Sequence, residues 1–309
     1  MVETRKEKEP QKKRKYQLFK HPWMSLFAVY GATVLSILFA GIVIFGILGL
    51  PEDSPWVQFT QAISYHVLTV FVLAPFVLQL PKGKRGFKQY LEDIGFSQFK
   101  PFLRLVILDI SNYLLLAFSQ VVAVLIYRIT EGFPINYRFI RQVLDLSGDL
   151  PPQSASLLVS LPSIFEEIAF RGIVLTVFLQ KYSQREAIVF SSFGFGLIHL
   201  LNLLLGREVI WVAGQVLWAF LIGLFYGYVF VRTRSLLPSM IVHYLGNAFI
   251  GSLTGYLQSR GSIEVQTLYG VLFSFGILPT TLMILWTRFY TSRWTPLQTR
   301  VQSSVENMP

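Results

Sequence analysis

The chain has 309 residues, 53% of them hydrophobic and 14% charged, with a formal net charge of +10. An ordinary soluble domain carries about 25% charged residues, so this composition excludes a water-soluble globular domain. It also contains no cysteine, which excludes disulfides, thiolate metal sites and cysteine nucleophiles.

In chain order, a basic tail over 1–23 containing "RKEKEPQKKRK" comes first and is expected to be a disordered cytoplasmic segment that hugs anionic lipid. Apolar runs long enough to cross the hydrocarbon core as helices follow at 24–50, 60–81, 103–127, 155–180, 187–205, 208–231, 236–257 and 266–288. Strict alternation, the mark of a membrane β-barrel, is absent. The expected fold is all-α, a polytopic transmembrane bundle of about eight spans. It forms one membrane domain over 24–288, followed by a cytoplasmic tail at 289–309. Of the 27 Lys and Arg, 21 fall on one side if the N-terminus is cytoplasmic, 5 fall on the other, and Arg171 lies inside a span. That bias places both termini in the cytoplasm. It also accounts for the basic charge without nucleic acid.

Two connections are longer than the rest. "PKGKRGFKQYLEDIGFSQFKP" mixes basic and aromatic residues and suits the membrane surface, and the external loop 129–153 could carry a short interfacial helix. Small residues such as Gly223 and Gly227 recur at the spacing of close helix contacts.

Charged groups within a bilayer are expensive and tend to be functional. Here they are His66, Asp109, Glu166, Glu167, Arg171, His199 and His243, with Asn202 and Asn247 as further polar groups. Glu167 and Arg171 stand four apart with the acid first, the favoured order for an ion pair on one helix face. Glu166 is rotated about 100° from Glu167 in an ideal helix, so one carboxylate serves the arginine and the other is free. In "FGFGLIHLLN", Phe195, His199 and Asn202 share a stripe; in "HYLGN", His243 and Asn247 do. A buried carboxylate beside an imidazole can take a proton from water, and an imidazole with an amide can donate to an oxyanion. That combination suits hydrolysis of an amide bond within the membrane. The same groups, Glu166, His199 and His243, could instead hold Zn²⁺ with a water, and spacing does not choose between the two.

With these residues in place, the sequence resembles the CAAX protease and bacteriocin-processing family of intramembrane endopeptidases, the Abi family. Its EExxxR, FxxxH and HxxxN motifs stand in order as Glu166-Glu167-x-x-x-Arg171, Phe195-x-x-x-His199 and His243-x-x-x-Asn247. The resemblance covers about 150–255, the expected catalytic core. It implies a glutamic-type or metallo-endopeptidase similar to the Ras-converting CAAX enzymes, which remove three residues from prenylated C-termini. Glu166 and His199 would then activate water and His243 and Asn247 would form the oxyanion hole, with Glu167 and Arg171 supporting the site. The implied partners are membrane lipids and a peptide or lipidated-protein substrate, and the implied setting is a prokaryotic plasma membrane.

Other intramembrane protease plans fail on their own residues. There is no HExxH, no GxSG, and "GFGL" lacks the aspartate of a GxGD site. Two rival functions remain. Buried acids and histidines also serve a proton-coupled transporter, although no inverted repeat is visible. A non-catalytic scaffold or regulator of the same fold would have little reason to keep every motif residue. The expected site is one water-accessible cavity, open to the cytoplasm, lined by Glu166, His199, His243 and Asn247.

Overall fold

The computed structural model describes residues 21–51, 55–68, 88, 91–96, 98–130, 132, 160–204, 206–250 and 276–294. Among them every regular element is helical. Helix α1 spans Trp23–Gly41 and runs on as a π turn, Ile42–Ile47; α2 spans Pro55–His66 and α3 spans Phe102–Thr130. Helix α4 begins at Pro162–Glu167, widens into a π segment over Ile168–Leu175 and closes at Thr176–Phe178. Helix α5, Gln184–Ile198, tightens into a 3₁₀ turn at His199–Leu203, and α6 spans Val209–Thr233. Helix α7, Leu237–Leu245, passes into a π turn at Gly246–Ile250, and α8 spans Leu278–Ser292.

Among the described residues, four stretches are long and apolar enough to cross a membrane: Trp23–Gly41, Phe102–Val122, Gln184–Leu203 and Val209–Thr233. They coincide with four of the eight expected spans. Residues 69–81, 251–257 and 266–275 of the other expected spans lie outside the described residues, as do both tails beyond 21–294 and most of the external loop. The expected span at 155–180 is present as the interrupted helix α4, all eight of whose π-segment residues are buried.

The burial pattern is that of a protein solvated by lipid. Met24, Phe27, Leu35, Leu38, Phe39, Phe102, Leu103, Leu114, Phe118, Leu285 and Phe289 are exposed, whereas Asp109, Asn112, Glu167, Arg171 and His243 are buried. In water so much exposed apolar surface would be an aggregation or docking liability. Against acyl chains it costs nothing, and the polar groups must find partners inside. The chain is an integral membrane protein of the all-α class.

Local chemistry explains where the central helices begin and end. Ser183 caps α5 in a capping box: its Oγ accepts from the Glu186 N–H and Glu186 Oε2 accepts from the Ser183 N–H. Helix α6 stops at Arg234, whose φ of 55° is left-handed. Pro238 then sits in the first turn of α7. The short segment 91–96 is pinned to this junction, because the Leu236 N–H donates to the Gly95 carbonyl at 3.1 Å. Helix α5 packs most extensively on α6, and α4 lies against α1, α2, α5, α6 and α7, so α4 forms the centre of the bundle. The Tyr30 hydroxyl of α1 donates to the Gly194 carbonyl of α5 at 2.6 Å, fixing α1 against that centre.

Candidate active site

The site forms where α4, α5, α6 and α7 meet. On α4 the two glutamates diverge as the helical rotation requires. The Glu167 side chain is fully buried, while that of Glu166 is 26% exposed. Glu167 Oε1 accepts from Arg171 Nη1 at 3.0 Å, the pairing that the i,i+4 spacing predicts. A charge-assisted bond of this kind is the strong form of hydrogen bond. Burial of both partners makes the pair mutually dependent.

The arginine is held on every side. Its Nη2 donates to the Gly223 carbonyl of α6 at 3.3 Å. Its guanidinium lies 4.4 Å from the centre of the Phe195 ring and 5.1 Å from that of Tyr226, and a desolvated cation gains from both aromatic faces. Gly223 permits the approach. A Cβ there would stand 3.1 Å from Arg171 Nη2, 3.1 Å from Ser192 Cβ and 3.3 Å from Phe195 Cδ1.

The feature that spacing did not reveal is His243. From α7 it enters between the two glutamates, with Nδ1 2.9 Å from Glu167 Oε1 and Nε2 3.6 Å from Glu166 Oε2. A carboxylate only accepts, so Nδ1 carries the proton in the shorter contact. Tyr226 stacks on the imidazole with ring centres 4.9 Å apart, and Phe195 meets it edge-on at 5.7 Å. Glu167 therefore does two jobs with one oxygen, neutralising Arg171 and orienting His243.

His199 stands where α5 tightens to 3₁₀ geometry. Its Nδ1 lies 3.0 Å from the Phe195 carbonyl oxygen, and its ring meets Phe195 edge-on at 5.3 Å. The carbonyl accepts from Nδ1–H, leaving Nε2 as the acceptor nitrogen of the neutral ring. His199 is within electrostatic range of both Glu166 and His243. Phe195 is thus the shared wall of the site, touching Arg171, His199 and His243.

The remaining polar residues divide. Asn247 follows His243 by one turn, within the π segment, and is exposed. Asn202, expected on the His199 stripe, donates to Gln215 Oε1 of α6 at 2.7 Å and is committed to that contact. Asn112 belongs to the α3–α8 contact, where its Nδ2 donates to Thr287 Oγ1 at 3.2 Å, and Asp109 is buried one turn earlier on α3. The side chain of His66 lies outside the described residues. Gly223 and Tyr226 are site residues that motif reading passed over; their i,i+3 spacing on α6 was the available signal.

Among the described residues, no group of three His, Asp or Glu side chains is arranged to hold a metal ion. His243 gives its Nδ1–H to Glu167 and turns Nε2 toward Glu166, an imidazole oriented by a carboxylate as metal-ligating histidines commonly are.

The site thus sets adjacent glutamates, one of them paired to a buried arginine, against a histidine from a distant helix. Residues 151–249 match the family described as type II CAAX prenyl endopeptidase Rce1-like, which contains α4 to α7 and every motif residue. The likeness is of that segment, 99 (151 to 249) of the chain's 309 residues. Comparison with curated proteins finds no match, and comparison with solved structures finds none.

Proposed function

We propose that the protein is an intramembrane endopeptidase that hydrolyses a peptide bond close to the membrane surface, using side chains to activate water. The observation that carries this reading is the division between the glutamates. Glu167 is committed to Arg171 and His243, whereas Glu166 is partly exposed and faces the far nitrogen of His243 at 3.6 Å.

In this reading Glu166 and His199 take the proton of a water that attacks the carbonyl carbon, and the proton passes to the leaving amine. His243 and Asn247 donate to the oxygen as negative charge develops there. With Nδ1 given to Glu167, His243 can donate through Nε2 only when its ring carries both protons. Glu167 and Arg171 hold the imidazole in place, and their charges cancel within the wall of the site.

The substrate class that the family match favours is a C-terminal CAAX sequence bearing a prenyl group, presented from the lipid. The 21-to-5 distribution of basic residues favours eight spans, both termini in the cytoplasm and access of water from that side. Comparative proteomics of C-termini and membrane peptides, wild type against Glu166→Ala, tests the reading. A peptide terminus that disappears in the variant supports it, and identical termini in both strains contradict it.

A further inference from the structure

We propose that the hydroxyl of Tyr65 is a further donor of the reaction site, hydrogen-bonding the substrate's carbonyl oxygen as charge develops on it. This rests on the peptidase reading above.

Tyr65 lies one residue from the end of α2, a helix outside the matched segment 151–249. It is buried, at 6% exposure. Its ring meets Phe165 edge-on at 6.3 Å, and Phe165 immediately precedes Glu166. Helix α2 packs against the first turns of α4, the turns that carry Glu166. The Tyr65 hydroxyl interacts electrostatically with Glu166.

Among the described residues, that hydroxyl is buried without a hydrogen-bond partner. Thr33 lies beside it, but the Thr33 hydroxyl donates to the Val29 carbonyl at 3.0 Å, and the two hydroxyls do not meet in hydrogen-bonding geometry. Buried polar groups are nearly always paired, and an unpaired donor costs stability. A phenylalanine would fill the same space at no such cost. An unpaired donor beside the group that activates water gains its acceptor when substrate arrives.

A donor there complements Asn247. His243 has Nδ1 bound to Glu167 and Nε2 facing Glu166, so its neutral ring offers the reacting carbonyl no proton. A phenol is neutral and donates without any change of charge state. In the step, the water oxygen bonds the carbonyl carbon, Glu166 takes the water's proton, and the carbonyl π pair moves onto oxygen. Tyr65 donates a hydrogen bond to that oxygen and keeps its proton. Collapse breaks the C–N bond, and the proton on Glu166 passes to the departing amine. Such a donor acts in the transition state, so its removal lowers kcat rather than raising KM.

The test is Tyr65→Phe in the full-length protein reconstituted into proteoliposomes, with a farnesylated CAAX peptide as probe and product measured by mass spectrometry. The variant keeps the ring against Phe165 and deletes only the stranded hydroxyl. The expected result is a kcat lower by on the order of a hundredfold, KM within about twofold of wild type, and a melting temperature equal to wild type or higher. A role in packing alone gives the reverse, a lower melting temperature with unchanged kcat. Wild-type kcat in Tyr65→Phe, with the wild-type protein active and Glu166→Gln inactive, overturns the assignment of Tyr65 alone. Absence of cleavage by the wild type overturns the peptidase reading and this inference with it.

Discussion

Replacing Glu167 by glutamine separates the supporting carboxylate from the reacting one. In the native site Glu167 Oε1 accepts at 3.0 Å from Arg171 and at 2.9 Å from His243, while Oε2 has no partner among the described residues. Glutamine can keep one acceptor oxygen, but it removes the negative charge and sets an NH₂ group in the place of Oε2 or Oε1. Neither position offers it an acceptor, so a buried donor is stranded at a cost of about 1–3 kcal/mol. The larger loss is electrostatic. Arg171 is fully buried and would have no anion in contact, and breaking a buried pair from one side costs about 3–5 kcal/mol. The two losses share the same atoms, so the total should stay near 3–5 kcal/mol. For a chain of this size that corresponds to a fall in melting temperature on the order of 10 °C. Intrinsic tryptophan fluorescence of the detergent-solubilised protein during heating would measure it. Glu166→Gln is the matched control: it alters a partly exposed group whose nearest charged contact is 3.6 Å away. It should melt within a degree or two of wild type while losing peptide hydrolysis. A Glu167→Gln protein as stable as wild type, alongside an unfolded Glu166→Gln, would refute this division of labour.

Three further outcomes follow from the same contacts. Gly223→Ala places a methyl 3.1 Å from Arg171 Nη2 and 3.1 Å from Ser192 Cβ. Overpacking of this kind should lower stability by about 1–3 kcal/mol in the same melting assay. His243→Phe keeps an aromatic ring against Tyr226 but removes the nitrogen bonded to Glu167, so it should abolish hydrolysis and also lower the melting temperature, unlike Glu166→Gln. Reporter fusions at Asp53 and Glu264 should both register the external side, and a cytoplasmic signal from either would overturn the eight-span topology.

The helical membrane class was legible because it depends on composition and run length, which lipid imposes on every lipid-facing residue. The Glu167–Arg171 bond was legible too, since i,i+4 neighbours meet whatever surrounds the helix. The rotation of Glu166 away from that pair follows from the same geometry and agrees with its greater exposure. His243 is 76 residues from Glu167, and no helical period reports which of two imidazoles will reach which carboxylate. Asn202 bonds Gln215 across the α5–α6 contact, a partner that no helical period names. Local winding hid a further feature. The π segment from Ile168 gives the span at 155–180 a geometry that hydropathy cannot register. Tyr65 was invisible because a tyrosine in an apolar run reads as core, and only its missing partner in three dimensions marks it.

The account's central claim is that Glu166 performs peptide hydrolysis in a site built by Glu167, Arg171 and His243. The most direct measurement is cleavage of a panel of lipidated and unlipidated C-terminal peptides by the purified protein in proteoliposomes, with products identified by mass spectrometry. Wild type is predicted to release a defined C-terminal fragment from at least one lipidated peptide, and Glu166→Gln, at unchanged melting temperature, to release none. Equal cleavage by wild type and a stably folded Glu166→Gln would contradict it.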